Sequence, residues 1–272
     1  MPDLRVRPTA PDADGRVIDI TPRSANWTYV GFEVRKLGAG ATTRIEMPGR
    51  EVCVMILTGS ADVEAGGERF EALGGRASVF DNAAPGAVYV PAGEACRVTA
   101  RDACEVAVCS APGSGRVSEA GRVRLIRSEQ MSLEARGRGT NSRRVRNILP
   151  ETEPAESLLI TEVITPAGNW SSYPPHRHDE DATPQMTLLE ETYYHRLNPP
   201  QGFAFQRVYT DDRSLDETVC VEDGDVVLVP RGYHPVGAPH GYDLYYLNVM
   251  AGPKRQWIFH NDPAHAWIVA QR

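Results

Sequence analysis

Two stretches of one design, GAVYVPAG at 86–93 and GDVVLVPRG at 224–232, sit one in each half of the chain. In both, a valine-rich run closes on Pro-x-Gly. Proline has no amide hydrogen to give a β-ladder and glycine turns the chain sharply, so each run reads as a strand stopped abruptly. Such punctuation recurs throughout, with 24 glycines and 21 prolines, and leaves little room for long helices. Between the stops of the first half lie CVMILTG (53–59), ADVEAGG (61–67), ERFEALG (68–74), ASVFDN (77–82) and ACEVAVCSA (103–111). The second half offers SLLITEVITPAGNW (157–170), LEETYYHRL (189–197), GFAFQRVYT (202–210), ETVCVEDGDVVLVPRG (217–232), YDLYYLNVMAG (242–252) and RQWIFHND (255–262). Segments this short, rich in valine and aromatics, predict an all-β chain whose strands each bury one face in a sandwich or barrel. The same plan occurring twice predicts a duplicated β-barrel. The expected domains are 1–112, a first barrel without a metal site, and 151–272, a second that carries one. Residues 113–150, with the arginine-rich run RGRGTNSRRVRNILP, read as a solvated linker, with an anion-binding loop as the alternative.

A formal charge of -7 without a concentrated basic patch argues against nucleic acid as a partner and favours a small ligand. No run of 18 to 20 apolar residues proposes a membrane span. The five cysteines are odd in number and include no CxxC pair, so the chain reads as reduced and cytoplasmic, with its thiols serving as core filler.

All seven histidines follow residue 175, so only the second barrel is expected to hold a polar site. In SYPPHRHDE (172–180) an extended backbone puts His176 and His178 on one face and Arg177 on the other. Glu191 from a later strand and His234 beyond the Pro-x-Gly turn complete a set of nitrogen and oxygen donors suited to Zn, Mn, Fe, Co or Ni. Glu190 competes with Glu191; the TYY that follows favours Glu191. His195, His260 and His265 read as ordinary core or surface histidines.

These motifs, an HxH, a downstream Glu and GDVVLVPRGYH (224–234), resemble the cupin superfamily, in which small jelly-roll barrels hold a central metal. The resemblance implies a bicupin of two jelly-roll β-barrel domains. The long interval from His178 to Glu191 departs from the usual cupin spacing and implies an inserted loop at the barrel mouth. More narrowly, WSSYPPHRHD (170–179), LEETYYHRLNPPQGFAFQRVYT (189–210), VVLVPRGYHPVGAPHGYDLYYLNVMAG (226–252) and RASVFDNAAPGAVYVPAG (76–93) are similar to the 5-deoxy-glucuronate isomerase family of bacterial myo-inositol breakdown. That family implies isomerisation of 5-deoxy-D-glucuronate to 5-dehydro-2-deoxy-D-gluconate with a divalent ion, Zn, Mn or Fe. The alternatives are a cupin metal dioxygenase and a non-catalytic sugar-acid-binding cupin.

Moving a carbonyl from C1 to C2 requires removing the adjacent proton and stabilising an enediolate. If Glu191 points inward, strand alternation sends Tyr193 and His195 inward too and Glu190 and Tyr194 outward. Tyr193 is therefore expected to orient the substrate or donate a proton, while the general base stays open among Asp179, Glu180, His240 and a metal-bound hydroxide. The uronate carboxylate calls for a cation: Arg231 first, then Arg207, with Lys254 as a further candidate. Phe203 and Phe205 are candidate cavity walls, and a two-fold homodimer is the expected assembly.

Overall fold

A computed structural model describes residues 3–115 and 121–270 of the 272. The chain forms two compact units that interleave along the sequence. One combines residues 8–132 with 147–160; the other combines 1–7, 133–146 and 161–272. The arginine-rich run thus enters regular structure: Leu133–Arg136 and Arg143–Leu149 pair as antiparallel strands, with Arg136 opposite Arg143.

In the first unit a six-stranded sheet runs in the order Arg124–Ile126, Gly86–Val90, Arg50–Thr58, Cys104–Pro112, Gly31–Leu37, Arg16–Ile20. A four-stranded sheet runs Thr42–Ile45, Cys96–Ala100, Ser60–Ala65, Glu68–Gly74. Alternate residues of both, Val52, Val54 and Ile56 with Val63 and Val98 among them, meet in one apolar core. Cys53, Cys96, Cys104 and Cys109 are buried and unbonded, and burial pushes the Cys53 thiol up to about 12, which suits packing rather than reactivity.

The second unit repeats the arrangement. Its seven-stranded sheet runs Arg5–Val6, Val226–Val229, Glu190–Asn198, Asp243–Ala251, Leu159–Thr165, Arg143–Leu149, Leu133–Arg136. Its four-stranded sheet runs Trp170–Ser171, Val236–Gly237, Ala204–Tyr209, Asp216–Val221. Val163, Tyr193, Val227 and Tyr246 of the larger sheet share a core with Val208, Val221 and Val236 of the smaller.

These sheets correct the expectation of two closed jelly-roll barrels. Closure requires the outer strands of a ladder to find each other. Here, among the described residues, the larger sheet of the second unit ends at Arg5–Val6 and Leu133–Arg136 and the smaller at Trp170–Ser171 and Asp216–Val221, and neither returns on itself. The molecule is mostly β-sheet and cupin-like, with each unit built from two open sheets that face across a common core. Side-chain burial holds them together where barrel closure would have used edge hydrogen bonds. Two segments read as strands also differ: 77–82 forms turns, and of 255–262 only His260–Asn261 is strand. Phe80 and Phe259 raised the apparent β-character there without an alternating partner face.

Candidate metal centre and cavity

Strand Glu190–Asn198 lies in the middle of the seven-stranded sheet, flanked by Val226–Val229 and Asp243–Ala251. Its two-residue period carries Glu191, Tyr193 and His195 on one face, where Tyr193 sits opposite Asn248 and His195 opposite Tyr246. The short strand His176–Arg177, paired with His260–Asn261, brings up His176. His178 follows, and His234 enters beyond the tight turn at Gly232, whose φ of +88° and approach to the Tyr209 carbonyl leave no room for a side chain.

Arg177 points the other way and ties the two histidine-bearing segments together. Its Nη1 donates to Asp179 at 2.5 Å and to Glu180 at 2.6 Å, and Asp179 in turn accepts from the Gly232 amide at 2.7 Å. The arginine between the two histidines therefore holds His176 and His178 in register with the loop that carries His234.

Donor nitrogens of His176, His178 and His234 all lie within 4.8 Å of one another. Glu191 Oε2 is 3.0 Å from His178 Nε2 and 3.1 Å from His234 Nε2, and all three of those side chains are buried. The other ring nitrogens face main-chain carbonyls, His178 Nδ1 that of Leu189 at 3.1 Å and His234 Nδ1 that of Gly232 at 2.8 Å. A carbonyl accepts only, so each Nδ1 carries a proton and each neutral ring presents a bare lone pair at Nε2. Two bare nitrogens against one carboxylate oxygen repel unless a cation lies among them. His234 Nε2 is moreover a buried atom that forms no hydrogen bond. The donor set fits a divalent ion of the zinc, manganese or iron type. Burial, reinforced by the neighbouring imidazoles, keeps His176 well below the usual histidine range.

The cluster opens through His176 onto a cavity of about 640 Å³. Tyr193, Tyr246, Asn248, Ser172 and Arg143 supply its polar wall, and Trp257 and Phe259 its aromatic one. Tyr193 Oη is 2.9 Å from Ser172 Oγ, and Tyr246 Oη is 2.5 Å from Ser171 Oγ. Burial pushes both phenols above their ordinary range, so both are protonated donors at neutral pH. Behind the metal cluster, His195 Nε2 lies 2.9 Å from Gln206 Oε1, and Gln206 Nε2 points to the His234 carbonyl at 3.5 Å.

The structure thus brings His176, His178, Glu191, His234 and Tyr193 together. It sets the other expected residues elsewhere. Glu180 is exposed and paired with Arg177, and His240 stands exposed at a turn. Arg207 forms a two-pronged pair with Asp216 at 2.7 Å, Arg231 reaches Ser214 Oγ at 3.3 Å, and Lys254 pairs with Asp181 at 2.7 Å. None of these lines the cavity, nor do Phe203 and Phe205, which are 39% and 45% exposed. Strand alternation explains Arg207: Gln206 takes the inward position, and its neighbour must face solvent. Sequence reasoning passed over Ser172, Tyr246, Asn248 and Arg143. Tyr246 and Asn248 become visible once Asp243–Ala251 is paired with Glu190–Asn198, Ser172 stands just before the His176 segment, and Arg143 lies in the run for which an anion-binding loop was the alternative.

Among the described residues no helix is long and apolar enough to cross a membrane. The family model of the KduI/IolB family matches residues 4–268. A 5-deoxy-glucuronate isomerase of Geobacillus kaustophilus is 54% identical over 263 residues, covering 97% of this chain and 94% of that protein. The crystal structure of an IolB-like protein from Salmonella typhimurium LT2 superposes with a TM-score of 0.94 at 49% identity, covering 98% of this chain and 99% of that one. An oxalate decarboxylase of Lactobacillus farciminis, 15% identical, superposes with a TM-score of 0.66 over 100% of this chain and 91% of that one, which shows a shared fold alone. With nearly its whole length matched and the histidine cluster in place, the chain belongs to the KduI/IolB family.

Proposed function

We propose that this chain is a 5-deoxy-glucuronate isomerase, moving the carbonyl of 5-deoxy-D-glucuronate from C1 to C2 to give 5-dehydro-2-deoxy-D-gluconate. The observation that carries the reading is the three-histidine cluster at the end of a polar cavity, in a chain 54% identical to a protein of that activity. His176, His178, Glu191 and His234 are the residues we assign to hold the ion. When bound, a divalent ion polarises the substrate carbonyl and offsets the negative charge growing on the enediolate oxygens. Tyr193, kept protonated by burial, donates its hydroxyl hydrogen toward the reacting end of the sugar. Ser172 Oγ, 2.9 Å from it, holds that hydroxyl in position. Asn248 adds a neutral donor, and Trp257 and Phe259 keep bulk water off the aldehyde. A cytoplasmic location and a homodimeric assembly belong to the same reading and rest on composition and family resemblance.

The test is incubation of the metal-loaded protein with 5-deoxy-D-glucuronate under anaerobic conditions, following loss of the aldehyde and appearance of the ketone by NMR. Conversion without oxygen is the expected result. A strict need for ferrous iron and oxygen would point instead to a dioxygenase, and binding without turnover to a sugar-acid carrier.

A further inference from the structure

Five arginines crowd the strand Arg143–Leu149 and the segment before it, and four of them are exposed or paired. Arg146 faces away from the cavity and pairs with Glu162 at 3.0 Å. Arg144 is exposed, as is Arg138, which lines the cavity from the solvent-facing loop, and Arg136, which also reaches the cavity, is held by Glu134 at 2.9 Å. Arg143 differs. Alternation along the strand turns Arg143 and Val145 into the cavity, and Arg143 is neither exposed nor paired. Among the described residues no carboxylate lies within ion-pair distance of it, and its hydrogen bond is to a neutral group, the Asn141 carbonyl at 3.0 Å. A guanidinium withdrawn from water without a counter-charge is costly unless something supplies one.

The chain around it is shaped to keep that guanidinium in place. Gly137 adopts a φ of +78°, and a Cβ there would come within 2.8 Å of Arg143 Nη1 and 2.0 Å of the Asn141 carbonyl oxygen. A second observation points the same way. Thr161, on the strand Leu159–Thr165, lines the same cavity with a buried hydroxyl that has no hydrogen-bond partner. The cavity therefore holds His176 of the metal cluster together with an uncompensated planar cation and a spare hydroxyl, groups that complement a carboxylate and not a neutral sugar.

Resting on the isomerase reading, we infer that Arg143, assisted by Thr161, receives the substrate carboxylate and so fixes which end of the uronate faces the metal cluster. Arg231, Arg207 and Lys254 are engaged elsewhere and take no part. Burial lowers the basicity of Arg143, as expected for a cation that is still waiting for its partner.

The test uses a ligand that cannot react: the substrate reduced at C1 to the alcohol, compared with the same molecule carrying a C6 amide in place of the carboxylate. Both are titrated calorimetrically into the metal-loaded full chain. The parent is expected to bind the carboxylate at least ten-fold tighter than the amide, and Arg143→Gln to bring that ratio to within about two-fold of unity while amide affinity and metal content stay at the parent's values. No preference in the parent, or the parent's full preference kept in Arg143→Gln, would overturn the assignment. Should Arg143→Gln fail to fold, Arg143→Lys decides: a ratio reduced three-fold or more supports the planar fork, and an unchanged ratio refutes it. Turnover of the aldehyde by the parent is scored separately, so a failed isomerase reading and a misplaced carboxylate anchor give different patterns.

Discussion

Replacing Tyr193 by Phe removes one oxygen and leaves the ring. The side chain is 1% exposed, so the aromatic packing against Tyr246 at 4.9 Å and His234 at 5.8 Å is retained and no cavity opens. What disappears is the hydroxyl bond to Ser172. A net loss of about 1 kcal/mol is usual for one such bond, which for a chain of this size lowers the melting temperature by a few degrees and leaves the protein folded at 25 °C. The chemical effect is of another order. A positioned proton donor contributes about 10² to 10⁴ in rate, or roughly 2.7 to 5.4 kcal/mol of barrier. Tyr193→Phe is therefore expected to lose a hundred-fold or more in kcat, with metal content unchanged and affinity for the C1-reduced ligand within a few-fold. Steady-state kinetics, metal analysis and a thermal melt on one preparation separate the two effects. A kcat within three-fold of the parent would show that Tyr193 only fills space and would refute its role as a proton donor.

Ala substitution of His176, His178 or His234 should lower bound metal and activity together while far-UV circular dichroism stays that of the parent; unchanged metal content in all three would dismiss the assigned cluster. His195 gives a pH prediction. Burial brings it from 6.5 down to about 4, so the unfolded chain binds its proton first. Its contribution is fully present above pH 6.5 and is lost as pH falls toward 4, costing about 3 kcal/mol in all at 1.36 kcal/mol per unit. Urea titrations of His195→Gln across that window should show a slope of stability against pH smaller by one proton than the parent's, and identical slopes would exclude His195 as its source.

Much of the metal cluster was legible because its chemistry is local. His176 and His178 are two residues apart, and His234 follows a Pro-x-Gly stop whose geometry is written in the residues themselves. Glu191 over Glu190 followed from strand alternation and the family pattern, and the structure sets Glu191 beside His178 and His234. The cavity wall was harder to see because it depends on pairing between distant strands. Asn248 and Tyr246 face inward only because of their register opposite Tyr193 and His195. Arg231 and Arg207 stand away from the cavity for a related reason. Charge and nearness in sequence to His234 favoured them, but their partners Ser214 and Asp216 come from the neighbouring hairpin, and no rule of spacing reveals that both are already engaged. The barrel expectation overreached similarly: alternation specifies a buried face but says nothing about whether the outer strands of two sheets meet.

The interleaving of the two units has a consequence for how the chain acquires its structure. Arg5–Val6 forms the outer strand beside Val226–Val229, and Arg5 also approaches Asp225, 220 residues away in sequence. Contacts of such separation carry a large loop-closure entropy and form late. A nascent chain emerging from the ribosome holds Arg5–Val6 in reserve until Val226–Val229 has been made. The first unit likewise stays incomplete until residues 147–160 arrive, so no single cut separates the molecule into two self-sufficient halves. The unit that carries the histidine cluster is thereby completed at one sheet edge by a strand whose partner lies 220 residues along the chain.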